Sequence, residues 1–229
     1  MFIGHYAPAF VAATSPKSPK LGALFVAAQL VDIAFFSFLI LGIEHMRMLP
    51  GATRMNAMDL YFMPWTHSLA GAIAWGVLFA VVIRALRGTW TAGIIGGAVV
   101  VSHWLVDLLV HRPDLTIAGT PPKLGFGLWN YPLVEIPLEL AFAYGGLLWF
   151  VSRTEASGKA GKWSPWVLAL GMAVLQTVNW TTPQPDIAGP APASTGWLGL
   201  LAYGILAGLA WWVARTRTLR PGLAKSLAM

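Results

Sequence analysis

The chain has 229 residues, 57% hydrophobic and only 10% charged, where a soluble domain carries about 25% charged residues. This excludes an ordinary soluble globule and implies an all-α integral membrane protein. The net charge of +6 then reads as topology information and, with no nucleic-acid motif present, not as a nucleic-acid surface. The absence of cysteine rules out disulfides and thiolate metal sites, and twelve Trp suit two interfacial belts.

Residues 2–14 are apolar, but as a helix they reach roughly 20 Å, short of a hydrocarbon core of about 30 Å. A half-helix carrying His5 is expected, and the stretch lacks the basic leader and cleavage site of a signal peptide. After a turn at 15–20, residues 21–43 form the first span, with Asp32 at its middle and Glu44, His45 and Arg47 at its exit. Residues 48–63 read as a polar-mixed loop. The second span, 64–86, opens PWTHSL, with Thr66 as its cap and His67 in its first turn. The third, 89–110, contains Gly93 and Gly97, which permit close helix contact.

That span ends in SHWLVDLLVHRP, which places His103, Asp107 and His111 at four-residue spacing. Each lies about 40° round the helix from the last, so all three share one face. Two imidazoles and a carboxylate on one stripe of a membrane helix are costly unless they bind something. Imidazole and carboxylate are the usual ligands of catalytic zinc; a polar cluster bonded to neighbouring helices is the plain alternative.

Residues 112–130 form a loop of Pro, Gly and apolar residues suited to folding back over the bundle. The fourth span, 131–152, holds Glu135 and Glu139 one turn apart, and a basic linker follows at 153–162. The fifth and sixth spans, 163–180 and 196–214, contain no ionisable residue, and Gly204 and Gly208 make a second small-residue seam. The chain therefore divides into a polar-site bundle over 1–152, a two-helix scaffold hairpin over 163–214 and a basic tail over 215–229: six transmembrane helices plus an N-terminal half-helix.

Six spans place Lys17, Lys20, Arg84, Arg87, Arg153, Lys159, Lys162, Arg215, Arg217, Arg220 and Lys225 on one side. Arg47, Arg54, Arg112 and Lys123 lie on the other. The positive-inside rule puts the first group, and the tail, in the cytoplasm. Counting 1.5 Å per residue from that side puts His5 and Asp32 at about 18 Å and His103 at about 21 Å, with Asp107 and His67 near 27 to 30 Å. Five ligand-type side chains from four segments converge in the half of the membrane away from the basic side.

These residues resemble the family of bacterial LexA-regulated, membrane-bound, inner-membrane metal-dependent hydrolases. Gly4 and His5 match its GH, Asp32 its first-span Asp, Thr66, His67 and Ser68 its THS, and Ser102, His103 and Asp107 its SHxxxD. The match covers about the first 115 residues. MPWTHS lacks the His and Arg that often precede THS in the family, and LLVHRPDL replaces a Thr after SHxxxD, so His111 or Glu44 stands as a substitute ligand.

The resemblance implies a multi-pass protein of the bacterial inner membrane and a divalent metal, zinc first. The candidate ligands are His5, Asp32, His67, His103, Asp107 and His111, for one ion or a pair, with His111, Glu135 and Glu139 open as holders of a second metal. Asp107 and Glu135 are candidate proton acceptors and Ser68 a candidate donor beside the metal; GxSxG is absent, which disfavours a serine nucleophile. Metal-activated water would attack a lipid-like or small-molecule ester, amide or phosphoester reached from the bilayer. The alternatives are an ion- or proton-coupled transporter using Asp32, and a non-catalytic subunit docking homo-oligomeric or other membrane partners through the glycine seams. Arg112 and Asp114 read as interfacial ion pairs.

Overall fold

The computed structural model describes residues 1–221, and the fold is mostly helical, with eight α-helices among them. The half-helix expected at the N-terminus is a 3-10 turn, Ile3–His5, running into α1, Tyr6–Ala12. It is wedged against α2 (Leu21–Ala28), α5 (Trp90–Val110) and α6 (Pro132–Arg153), with Ile3, Ala9 and Phe10 fully buried. Gly146 makes the wedge possible, since a Cβ there would come 2.9 Å from the Ala7 Cα.

The first expected span is broken. α2 ends at Ala28, and α3, Leu30–Ile40, leaves at 53° to it. Gln29 sits at the break and its amide donates to the Phe2 carbonyl at 2.9 Å, so the bend is fastened to the wedged N-terminal segment. Asp32 falls in the first turn of α3, where the helix dipole favours a carboxylate.

The expected loop at 48–63 contains ordered structure. β1 (His45–Met48) pairs antiparallel with β2 (Met58–Phe62), and β6 (Gly189–Pro190) adds to the other edge of β1. Two further pairs are β3 (Leu115–Thr116) with β4 (Lys123–Leu124), and β5 (Thr154–Ala156) with β7 (Arg217–Leu219). An all-helical chain is therefore corrected to helices tied by three small sheets at their connections. A hydropathy pattern cannot reveal strands of two to five residues, which are too short for a period to show.

α4 (Leu69–Ala85) and α5 pack most extensively. A Cβ at Gly97 would stand 2.7 Å from the Gly76 carbonyl oxygen and one at Gly93 2.7 Å from that of Ala80, so the first glycine seam is a backbone-to-backbone contact. The second is not: a Cβ at Gly204 or Gly208 meets nothing within 4 Å. α7 (Lys159–Thr181) and α8 (Ala193–Thr216) pack on each other, and α8 also lies along α2 and α3.

Among the described residues α5, α6 and α8 are long and apolar enough to cross a membrane, and the bent α2–α3 pair makes a fourth candidate. The hydropathy pattern predicts six. α4 has 17 residues, about 26 Å of helix. α7 has the length but is diluted by Gln176, Thr177, Asn179 and Thr181. Of the basic tail, Arg215, Arg217 and Arg220 lie in the described part, while Lys225 lies outside the described residues.

Candidate metal centre

The helix α5 supplies the wall that its spacing predicts. His103 and Asp107 are buried one turn apart, with His103 Nε2 3.0 Å from Asp107 Oδ2. The α4 entrance brings His67, whose Nε2 lies 3.7 Å from Asp107 Oδ2 and 3.3 Å from Asp32 Oδ1. Asp32 Oδ1 is also 3.4 Å from His103 Nε2. The N-terminal turn adds His5, with Nε2 3.0 Å from Asp107 Oδ1 and its ring stacked on His103 at 3.8 Å between centroids. His111, just past the end of α5, reaches back with Nε2 3.6 Å from Asp107 Oδ1. All six expected ligands meet in one place, and two triplets, His5–Asp32–His103 and His67–His103–Asp107, have donor atoms all within 4.8 Å of one another.

The depth count separates Asp107 and His67 from the other three by one or two turns, yet the side chains touch. The count follows backbone rise only. His5 and Asp107 each reach towards the other's level, and the break at Gln29 sets where Asp32 starts its helix.

In three of the four rings the outward Nδ1 is held by an oxygen acceptor. His103 Nδ1 lies 2.8 Å from the Ala28 carbonyl at the α2–α3 break. A carbonyl only accepts, so in the neutral ring Nδ1 carries the proton and Nε2 presents a lone pair. His111 Nδ1 lies 2.8 Å from Asp114 Oδ1. His67 Nδ1 lies 2.9 Å from the Thr66 hydroxyl, which itself donates to Glu44 Oε2 at 2.6 Å. This is how metal-bound histidines are normally held, by a second hydrogen bond that sets the tautomer.

An imidazole Nε2 lone pair and a carboxylate oxygen at 3.0–3.7 Å repel one another unless a proton or a metal ion stands between. Both nitrogens of His5 and Nε2 of His103 are buried without a hydrogen-bond partner, a condition that costs about 1–3 kcal/mol for a buried polar group. The donor set fits a divalent metal, and the buried His67, His103 and Asp107 could hold one.

Several residues have roles different from those expected. The N-cap of α4 is Ser68, whose Oγ accepts from Gly71 N at 3.0 Å and donates to the Pro64 carbonyl at 2.7 Å. Thr66 and His67 precede the helix, because Glu44 accepts from the Trp65 and Thr66 amides and shapes this entrance. Both Glu44 oxygens accept hydrogen bonds here, so Glu44 organises the residues that hold His67. Asp114 orients His111, while Arg112 pairs with Asp59 and lies 3.6 Å from Asp114.

The helices expected to be scaffold reach the site. Tyr203 of α8 donates to Asp32 Oδ2 at 2.8 Å, and Gln176 of α7 donates to Glu139 Oε2 at 3.0 Å. Glu139 Oε1 in turn accepts from the Phe2 and Gly4 amides that flank the His5 turn. Glu135, one turn earlier on α6, is fully buried with neither oxygen hydrogen-bonded. The sequence signal for these two partners is a lone Gln in α7 and a lone Tyr in α8, polar groups in largely apolar stretches without a formal charge.

No family model matches the chain, and comparison with curated proteins and with solved structures returns no match.

Proposed function

We propose that this protein is a membrane-embedded, metal-dependent hydrolase, a divergent relative of the inner-membrane hydrolase family that its motifs resemble. The observation that supports this most is the inward set of four imidazole Nε2 atoms against two carboxylates, three of the rings held from behind by oxygen acceptors. His5, Asp32, His67, His103, Asp107 and His111 hold the ion, zinc being the first expectation. A divalent ion there would supply Lewis acidity, polarising a carbonyl or phosphoryl oxygen and acidifying water.

The chain's own groups do the rest. Asp107, reached by four rings, fixes the geometry of the centre. Glu135 holds the proton removed from water, since its buried oxygens have no other hydrogen-bond partner. Ser68 acts through its cap, aiming His67. The six helical passes all cross the bilayer, with the basic side in the cytoplasm and the substrate, lipid-like or small, entering from the membrane.

Purification without chelator followed by elemental analysis tests this. Wild type should carry a divalent metal and cleave a member of an ester, amide and phosphoester panel in lipid vesicles. His103→Ala and Asp107→Ala should lose both. Metal-free wild type would sink the reading.

A further inference from the structure

We infer, resting on the metal reading above, that the cluster takes two divalent cations, with Asp107 bridging them. The division of Asp107 carries this. Its Oδ2 faces His103 and His67, at 3.0 and 3.7 Å from their Nε2 atoms, while its Oδ1 faces His5 and His111, at 3.0 and 3.6 Å. Each oxygen has its own pair of imidazoles, the arrangement of a carboxylate shared between neighbouring ions.

Asp32 Oδ1 lies 3.3 and 3.4 Å from His67 and His103, completing a first group of His67, His103, Asp32 and Asp107 Oδ2. His5, His111 and Asp107 Oδ1 form a second, smaller group, with the Met1 nitrogen 3.2 Å from the same oxygen. Six ligating side chains exceed what one catalytic zinc uses, which is three protein ligands and an open position. Shared between two ions, they leave the second group with fewer protein ligands than the first.

The stacked rings of His5 and His103 point to the same count. They lie 3.8 Å apart and within 5° of parallel, and direct their Nε2 atoms at different oxygens of one carboxylate. The unpartnered nitrogens fall in both groups, on His103 in the first and His5 in the second. Glu139, which accepts from the Phe2 and Gly4 amides beside His5, adds negative charge that a second divalent ion needs in a low-dielectric interior.

Metal-free protein dialysed to equilibrium against Zn²⁺ should saturate at two ions per chain. Asp32→Ala and His111→Ala should each saturate at one. Wild type loaded with Mn²⁺ should give the broadened paramagnetic resonance spectrum of a coupled pair, a readout that needs no variant, and His111→Ala the resolved hyperfine lines of an isolated ion. Saturation of wild type at one ion, or uncoupled Mn²⁺ at full loading, overturns the pair and leaves a single-ion enzyme standing. No bound zinc overturns the metal reading itself.

Discussion

The tautomers of His67, His103 and His111 are each set by one oxygen behind the ring. His67 depends on the Thr66 hydroxyl, which is held in turn by Glu44. Thr66→Val keeps the shape and removes that oxygen. It should weaken metal affinity by about 10–100-fold, the range for loss of such a partner, measured by competition with a coloured chelator. An unchanged affinity would mean that His67 needs no orientation from Thr66. Asp32 leans on Tyr203 in the same way, and Tyr203→Phe should weaken zinc binding while leaving the helical circular dichroism intact.

At the scale of elements, the site exists because α4 and α5 can approach to backbone contact. Gly76 and Gly97 each present a carbonyl where the other's Cβ would sit. Gly97→Val forces the helices apart, and overpacking of this kind costs about 1–3 kcal/mol, visible as a lower unfolding midpoint in detergent. Gly208→Leu is the control: nothing lies within 4 Å of its Cβ position, so the midpoint should move by no more than about 0.5 kcal/mol. Equal losses in both would contradict the packing of the α4–α5 seam. The break at Gln29 matters as much, since it presents the Ala28 carbonyl to His103 and starts a new helix just ahead of Asp32.

Across the whole molecule, the connections gather in two groups. The hairpin β1–β2 and strand β6 meet in one sheet, and the loop after α5 joins the α4 entrance through Ser68 and Thr116. The α6–α7 connection and the chain after α8 meet through β5 and β7. Because the chain has no cysteine, single cysteines can report sidedness without interference. If all six passes cross, Arg54→Cys, Ala118→Cys and Ala188→Cys should react with an impermeant maleimide from one side, and Lys17→Cys and Ser157→Cys from the other. Labelling of Ala188→Cys and Ser157→Cys from the same side would reduce the number of crossings. A bound metal also ties α1, α3, α4 and α5 together, so chelation should lower the thermal midpoint. At a metal concentration 100 times its dissociation constant the stabilisation lost is about 2.7 kcal/mol.

The sequence by itself determined the apolar helical character of the chain and the ligand types. Composition excludes a soluble globule, and helical spacing alone puts His103 and Asp107 on one face, because both are local properties of a regular backbone. Backbone rise brought His5, Asp32 and His67 towards the depth of His103 and Asp107, and motif order matched the same residues. Only the tertiary structure decided that the six side chains meet, that Tyr203 bonds Asp32 and Gln176 bonds Glu139, that Glu44 shapes a helix entrance, and that the second glycine seam is unpacked. Those facts depend on a 53° break at one residue and on contacts between positions more than 100 residues apart, such as Asp32 and Tyr203. Neither a hydropathy pattern nor a rise per residue encodes the rotation of one helix against another.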